Sequence, residues 1–197
     1  MAKLFYQGHG SFRLTSEGGV VIYIDPFIGE GYDLAADAIL VTHQHPDHNQ
    51  IQLVTQKDDC VVISNVEALA GGKHNCFNVK GIEIEAVEAG YNAGHQPDNS
   101  VGFIVTVDGI TIYFSGDTST TPQMATFAER KLDYALLCAD GNYNMGLEEA
   151  SACAKLINAK HNAPVHLLPG ELFSMDMAIQ WDAPNKVIFE AGKEYRL

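Results

Sequence analysis

Apolar residues along the chain come in short runs broken by glycine, proline, asparagine and aspartate. Runs of that kind predict strands more often than helices. Leu4-Phe5-Tyr6 and Phe12-Arg13-Leu14 flank Gly8-His9-Gly10, and a Ser16-Glu17-Gly18-Gly19 turn leads into 20–24, so residues 10–24 read as a hairpin. Asp25-Pro26 ends that strand, because proline lacks a ladder donor and restricts the residue before it. Residues 38–41 and 60–63 are largely apolar and predict buried strands. Residues 27–37 read as a loop. Asn49 can cap a helix over 49–56, and a short helix over 65–70 is closed by Gly71-Gly72.

Further along, Val79, Ile82, Ile84, Ala86 and Val87 mark one or two strands, followed by a polar loop over 90–99. Residues 101–107 and 110–114, joined by Asp108-Gly109, predict a tight hairpin. A helix is expected over 121–130, with Pro122 tolerated in its first turn, and a strand over 134–138. Ala150, Cys153, Ala154 and Ile157 sit at helical spacing, and Glu148 and Glu149 suit the positive end of a helix over 147–157. A strand over 163–168 contains His166, a helix follows over 175–181, and strands over 186–190 and 194–197 finish the chain. No linker or composition break divides the sequence, so one domain over 1–197 is expected.

The charge balance narrows the partners. A formal charge of -13, from 25 acidic and 12 basic residues, leaves no basic stripe for a phosphate backbone, so nucleic acid is not an expected partner. The opening MAKLFYQGHG has no signal-peptide core and no apolar run approaches the length of a membrane span, so a cytoplasmic protein without a membrane partner is expected. Cys60, Cys76, Cys138 and Cys153 lack CxxC spacing, which indicates neither disulfides nor thiolate ligands.

The chemistry is concentrated in THQHPDHN, residues 42–49, where His43, His45, Asp47 and His48 follow directly on the 38–41 strand. Such a cluster cannot enclose a metal alone, since ligands must converge from several directions. His95, Asp117 and His166 each fall in a loop or near a strand end, as ligands contributed by other strands of a sandwich would. Histidines at i and i+2 share no helical face, so the cluster belongs to a loop.

The sequence resembles the metallo-β-lactamase superfamily, and within it the small UlaG-like metal-dependent hydrolases. The residues that carry the resemblance are the opening GHGSF with Asp25-Pro26, the THQHPDH cluster, His95, Ser115-Gly116-Asp117-Thr118, Tyr143-Asn144-Met145 before an Ala-rich helix, and Pro164-Val165-His166. The resemblance implies an α+β fold, a four-layer αββα sandwich. It also implies two divalent metal ions, one on His43, His45 and His95, the other on Asp47, His48 and His166, with Asp117 bridging both. Zinc is the leading metal, and an all-N/O donor set also suits manganese or iron. His9 and Asp25 are expected beside the ligands, Asp25 orienting the histidine loop.

Two cations held about 3.5 to 4 Å apart can share a hydroxide and polarise a substrate oxygen. The expected activity is therefore hydrolysis of a small ester, lactone or phosphoester metabolite, anionic substrates included, with Asp47 and Asp117 at the reacting centre. The alternatives are a phosphodiesterase or ribonuclease, and a metal-binding sensor without turnover. Asp140, where relatives usually have glycine, reads as a turn cap in preference to a proton carrier. The sequence leaves the oligomeric state open.

Overall fold

Antiparallel pairing begins at the first strand of the computed structural model, which describes residues 1–197. β1 (Lys3–Gly8), β2 (Ser11–Thr15) and β3 (Val21–Ile24) form a meander, extended in parallel by β4 (Ala36–Val41) and β5 (Gln56–Ser64). β6 (Cys76–Val79), β7 (Ile82–Glu88), β8 (Val101–Val107) and β9 (Ile110–Phe114) are successively antiparallel, and β10 (Tyr134–Cys138) and β11 (His161–Val165) continue in parallel. The last strand, β12 (Lys193–Arg196), returns to pair with β1, giving the orders β12-β1-β2-β3-β4-β5 and β11-β10-β9-β8-β7-β6.

Period-two alternation explains why the sheets pack on each other. Ile22, Ile24, Ala38 and Leu40 from the first sheet meet Ile84, Phe103, Val105 and Phe114 from the second in one core cluster of 25 buried residues. The intervening residues point outward. Ile104, Tyr113 and Leu137 pack under α1 (Leu147–Ile157), through Ala150, Cys153, Ala154 and Ile157, and under α2 (Met175–Gln180) and the following Trp181. Val21, Tyr23, Ile39 and Val41 are covered instead by Tyr32, Ile51 and Val54. The αββα order is present, with the outer layer of the first sheet reduced to a loop and one 3-10 turn.

That turn, Ile51–Leu53, replaces the helix expected over 49–56. β5 already starts at Gln56, which cuts the expected 49–56 helix short. The segment Pro122–Arg130 is also 3-10, not α, and buries Met124 and Phe127, which lie three apart and so share one side of a three-residue turn. β11 stops at Val165, because His166 takes a left-handed φ of 49°. Residues 186–190 form only a single bridge, Asn162 to Lys186. The short helix after β5 spans Asn65–Ala68 and carries a capping box between Ser64 and Glu67.

One buried carboxylate links the two sheets. Asp37, on β4, accepts from the Val21 backbone N–H at 2.8 Å, from Lys57 at 2.6 Å and from Lys80 at 2.6 Å. Lys80 lies in the β6–β7 turn of the opposite sheet. Burial pushes the Asp37 carboxyl up, but the two lysines and the Val21 N–H outweigh it and hold the group down at about 2. No helix is long and apolar enough to cross a membrane.

Candidate metal centre

Connections at one end of the sandwich supply the site. In each sheet the strands after the meander are parallel, so their carboxyl ends leave in one direction: Asp25 follows β3, residues 42–48 follow β4, Asp117 follows β9, Asp140 follows β10 and His166 follows β11. The 89–100 loop adds His95 from between β7 and β8. Ligand sites in sheets with parallel strands gather at such ends.

Ligand atoms converge in three overlapping groups, within each of which all atoms lie within 4.8 Å of one another: His43, His45 and His95; His9, Asp47, His48 and His166; and His43, His48 and Asp117. The first two correspond to the two triads expected from the sequence, with His9 added to the second. Asp117 stands between them, its Oδ1 3.4 Å from His48 Nε2 and its Oδ2 3.4 Å from both His95 Nε2 and His166 Nε2.

The hydrogen bonds around the rings leave the inward nitrogens of His43 and His48 free, whereas His95 Nε2 lies 3.1 Å from His45 Nδ1. His48 Nδ1 lies 2.9 Å from Asp25 Oδ2, and His95 Nδ1 lies 3.0 Å from Asn92 Oδ1. Since both oxygens only accept, each Nδ1 carries a proton, and in the neutral ring Nε2 is left to offer its lone pair to the site. His43 Nδ1 contacts the Thr42 hydroxyl at 3.0 Å, and that hydroxyl donates to Asp25 Oδ2 at 2.6 Å. Asp25 also accepts from the Thr42 backbone N–H at 2.7 Å. One buried carboxylate thus fixes the rings of His48 directly and His43 through Thr42.

His43 Nε2, His48 Nε2, His166 Nε2 and Asp117 Oδ1 are buried without any hydrogen-bond partner. Orphaned buried polar atoms are costly, and these four, distributed around Asp117, fit cations as the missing partners. The electrostatics agree. Burial would raise Asp117, yet the surrounding His166, His48, His43 and His95 hold it far below the usual carboxylate range. Burial would lower His48, yet Asp117, Asp25 and Asp47 push it up to about 9. Burial and the neighbouring His48 pull His43 well below its ordinary value.

Two features were hard to read in the sequence. Asp140 caps the turn as expected, its Oδ1 accepting from the backbone N–H groups of Asn142 at 2.7 Å and Tyr143 at 2.8 Å, but its Oδ2 lies 3.2 Å from His166 Nδ1. Asn92 and Asn144 reach the ligands with their amides, and only the Asn-x-Gly-His order of 92–95 hints at this, as an Asx turn in front of a ligand. His74 lies outside all three ligand groups, as does His161 on β11.

A cavity of about 310 Å³ opens over Asp47, Asp117, His45, His95 and His166, rimmed by Tyr143 and Pro169. A second, of about 150 Å³, adjoins it on the far side of His45 and His95 and is lined by Gln44, Asn65, Asn99 and Ser100.

This fold is that of the metallo-β-lactamase superfamily, and the chain belongs to it: the β-lactamase superfamily domain matches residues 3–166. Within it, the chain is 30% identical to a UPF0173 metal-dependent hydrolase of Thermococcus kodakarensis, covering 100% of both chains, and 32% identical to one of Natranaerobius thermophilus, covering 83% of this chain and 82% of that one. A crystal structure from Parabacteroides distasonis superposes with a TM-score of 0.75 at 26% identity, covering 94% of this chain and 91% of its own. Igni18, a metallo hydrolase from Ignicoccus hospitalis, shares the fold with a TM-score of 0.75 at 21% identity, over 100% of this chain and 99% of its own. The chain is a metal-dependent hydrolase of this superfamily.

Proposed function

We propose that the protein hydrolyses a small ester, lactone or phosphoester metabolite with two divalent cations, zinc first, one held by His43, His45 and His95 and the other by Asp47, His48 and His166, with Asp117 shared. The observation that carries this reading is the set of buried, unpartnered polar atoms on both sides of Asp117. Such cations supply Lewis-acid polarisation of the substrate oxygen and a water made acidic enough to react at neutral pH.

The chain's own residues do the rest. Asp117, kept ionised by the imidazoles around it, offsets part of the cationic charge between the triads. Asp47 also stays ionised: burial opposes this, but the His9 contact at 3.1 Å and the charge of His48 outweigh it. Its half-buried side chain faces the larger cavity, where it can take or return a proton. A cavity of about 310 Å³ accommodates a small metabolite, and Tyr143, 63% exposed, offers an aromatic wall at its mouth. No Lys or Arg lines either cavity, so an anionic group on the substrate would be met by the cations alone.

The test is elemental analysis of the purified protein, followed by a panel of lactones, phosphodiesters, phosphomonoesters and thioesters with added zinc or manganese. Up to two metal equivalents and turnover of a lactone or small ester are expected. Activity confined to RNA would overturn the substrate class. Metal binding without turnover on any substrate would indicate a sensor.

A further inference from the structure

Asn92 and Asn144 form a chain of amides whose orientation the surrounding donors dictate. Asn92 Oδ1 accepts from the backbone N–H of Gly94 at 3.0 Å and of His95 at 2.9 Å, and backbone N–H groups only donate, so the oxygen is placed unambiguously. Asn92 Nδ2 therefore faces Asn144, whose Oδ1 accepts it at 3.2 Å. Asn144 Nδ2 is then left to the two carboxylates, Asp117 Oδ2 at 2.8 Å and Asp140 Oδ2 at 2.7 Å, which only accept. Both ends of the chain require the same orientation.

The loop that carries Asn144 does not need this amide to hold its shape. Gly141 N–H donates to Met145 O at 3.0 Å, Met145 N–H donates to Thr118 O at 3.3 Å, and Asp140 Oδ1 caps the turn between them. The Asn144 side chain, almost fully buried, spends its polar atoms on groups that in turn face ligands: Asn92 on His95, Asp140 on His166, and Asp117 directly.

Resting on the reading of the two triads as metal sites, we propose that Asn144 is a positioning residue that couples them, fixing the shared Asp117 while bracing His95 through Asn92 and His166 through Asp140. The coupling makes a specific pattern. Asn92 serves the first triad alone and Asp140 the second alone, whereas Asn144 serves both. Groups that orient metal ligands from behind commonly change affinity by about 10- to 100-fold when removed.

The experiment measures zinc affinity by chelator competition in the full-length protein and in His45→Ala and Asp47→Ala backgrounds, each of which disables one triad. Asn144→Leu should weaken zinc binding about 10- to 100-fold in both backgrounds. Asn92→Ala should do so only where the first triad is intact, and Asp140→Asn only where the second is. A second readout needs no metal: ¹⁵N-edited NMR of the metal-free protein should show the His95 ring protonated at Nδ1, and loss of that single tautomer in Asn92→Ala. If Asn144→Leu does not fold, judged by circular dichroism, Asn144→Ser carries the same expectation, since serine cannot span both carboxylates. A folded Asn144 variant whose affinity changes less than two-fold, or in one background only, overturns the coupling while leaving the metal sites standing. Failure of the unmutated protein to take up zinc under metal-replete conditions overturns the sites and the coupling together.

Discussion

Nine non-glycine residues take left-handed backbone, among them His9, Asp25 and His166, with φ of 57°, 46° and 49°. Non-glycine residues take this conformation at a cost of about 1–3 kcal/mol and hold it where the surroundings over-determine it. All three belong to the metal cluster or touch it. At Asp25 the gain is plain, because the reversal after β3 lets one carboxylate accept from Thr42 twice and from His48. Asp25→Asn keeps the shape and tolerates the backbone, but must turn an N–H toward one of those donors. It is expected to weaken zinc binding by about 10- to 100-fold with little change in melting temperature, read by chelator competition beside a thermal scan. At this scale the ligands were legible, since three histidines and an aspartate within six residues are rare outside metal sites. The amides were not, because an asparagine's role depends on which neighbours the fold brings to it.

Among the elements, the loops bearing His95 and Asp117 are held by two glycines. A Cβ at Gly90 would lie 2.8 Å from the His95 carbonyl oxygen, and one at Gly116 would lie 2.8 Å from the Val101 oxygen and 3.0 Å from the Thr42 side chain. Gly90 also accepts from Ser119 N–H at 2.7 Å, tying the His95 loop to the turn that carries Asp117. Gly90→Ala should therefore destabilise the fold by roughly 1–3 kcal/mol in urea unfolding and loosen the first triad as well. Asp37 gives a pH-dependent case. Its folded value near 2 lies below the ordinary 3.8, so its contribution is present above pH 4 and is lost as pH falls through about 2. Asp37→Asn should be less stable than the unmutated protein at pH 7 by roughly 1–2 kcal/mol, after allowing for screening of the half-exposed lysines. That difference should close between about pH 4 and 2. Strands and α1 were legible because period-two and period-3.6 patterns are local. The 3-10 segments were not, since they depend on where the next strand begins and on what they cover.

Across the whole molecule, the candidate ligands from both sheets meet at one end, so cations bound there would add to the stability of the sandwich itself. At free zinc about 1,000-fold above the dissociation constant, mass action contributes about 4 kcal/mol. Removal by a chelator should lower the melting temperature by several degrees, and His45→Ala should shrink the drop. The αββα plan was legible from the order of elements, but the thinning of one outer layer followed from a loop, whose packing the sequence does not encode locally. The pairing of β12 with β1 has its own consequence. Lys3 lies opposite Arg196, and Leu197 N–H donates to Ala2 O at 3.0 Å. β12 is made after every other strand of the two sheets, so until it is made the nascent first sheet offers β1 as a bare edge to any neighbouring chain. Pairing of β12 ends that exposure, and removal of residues 193–196 would make it permanent.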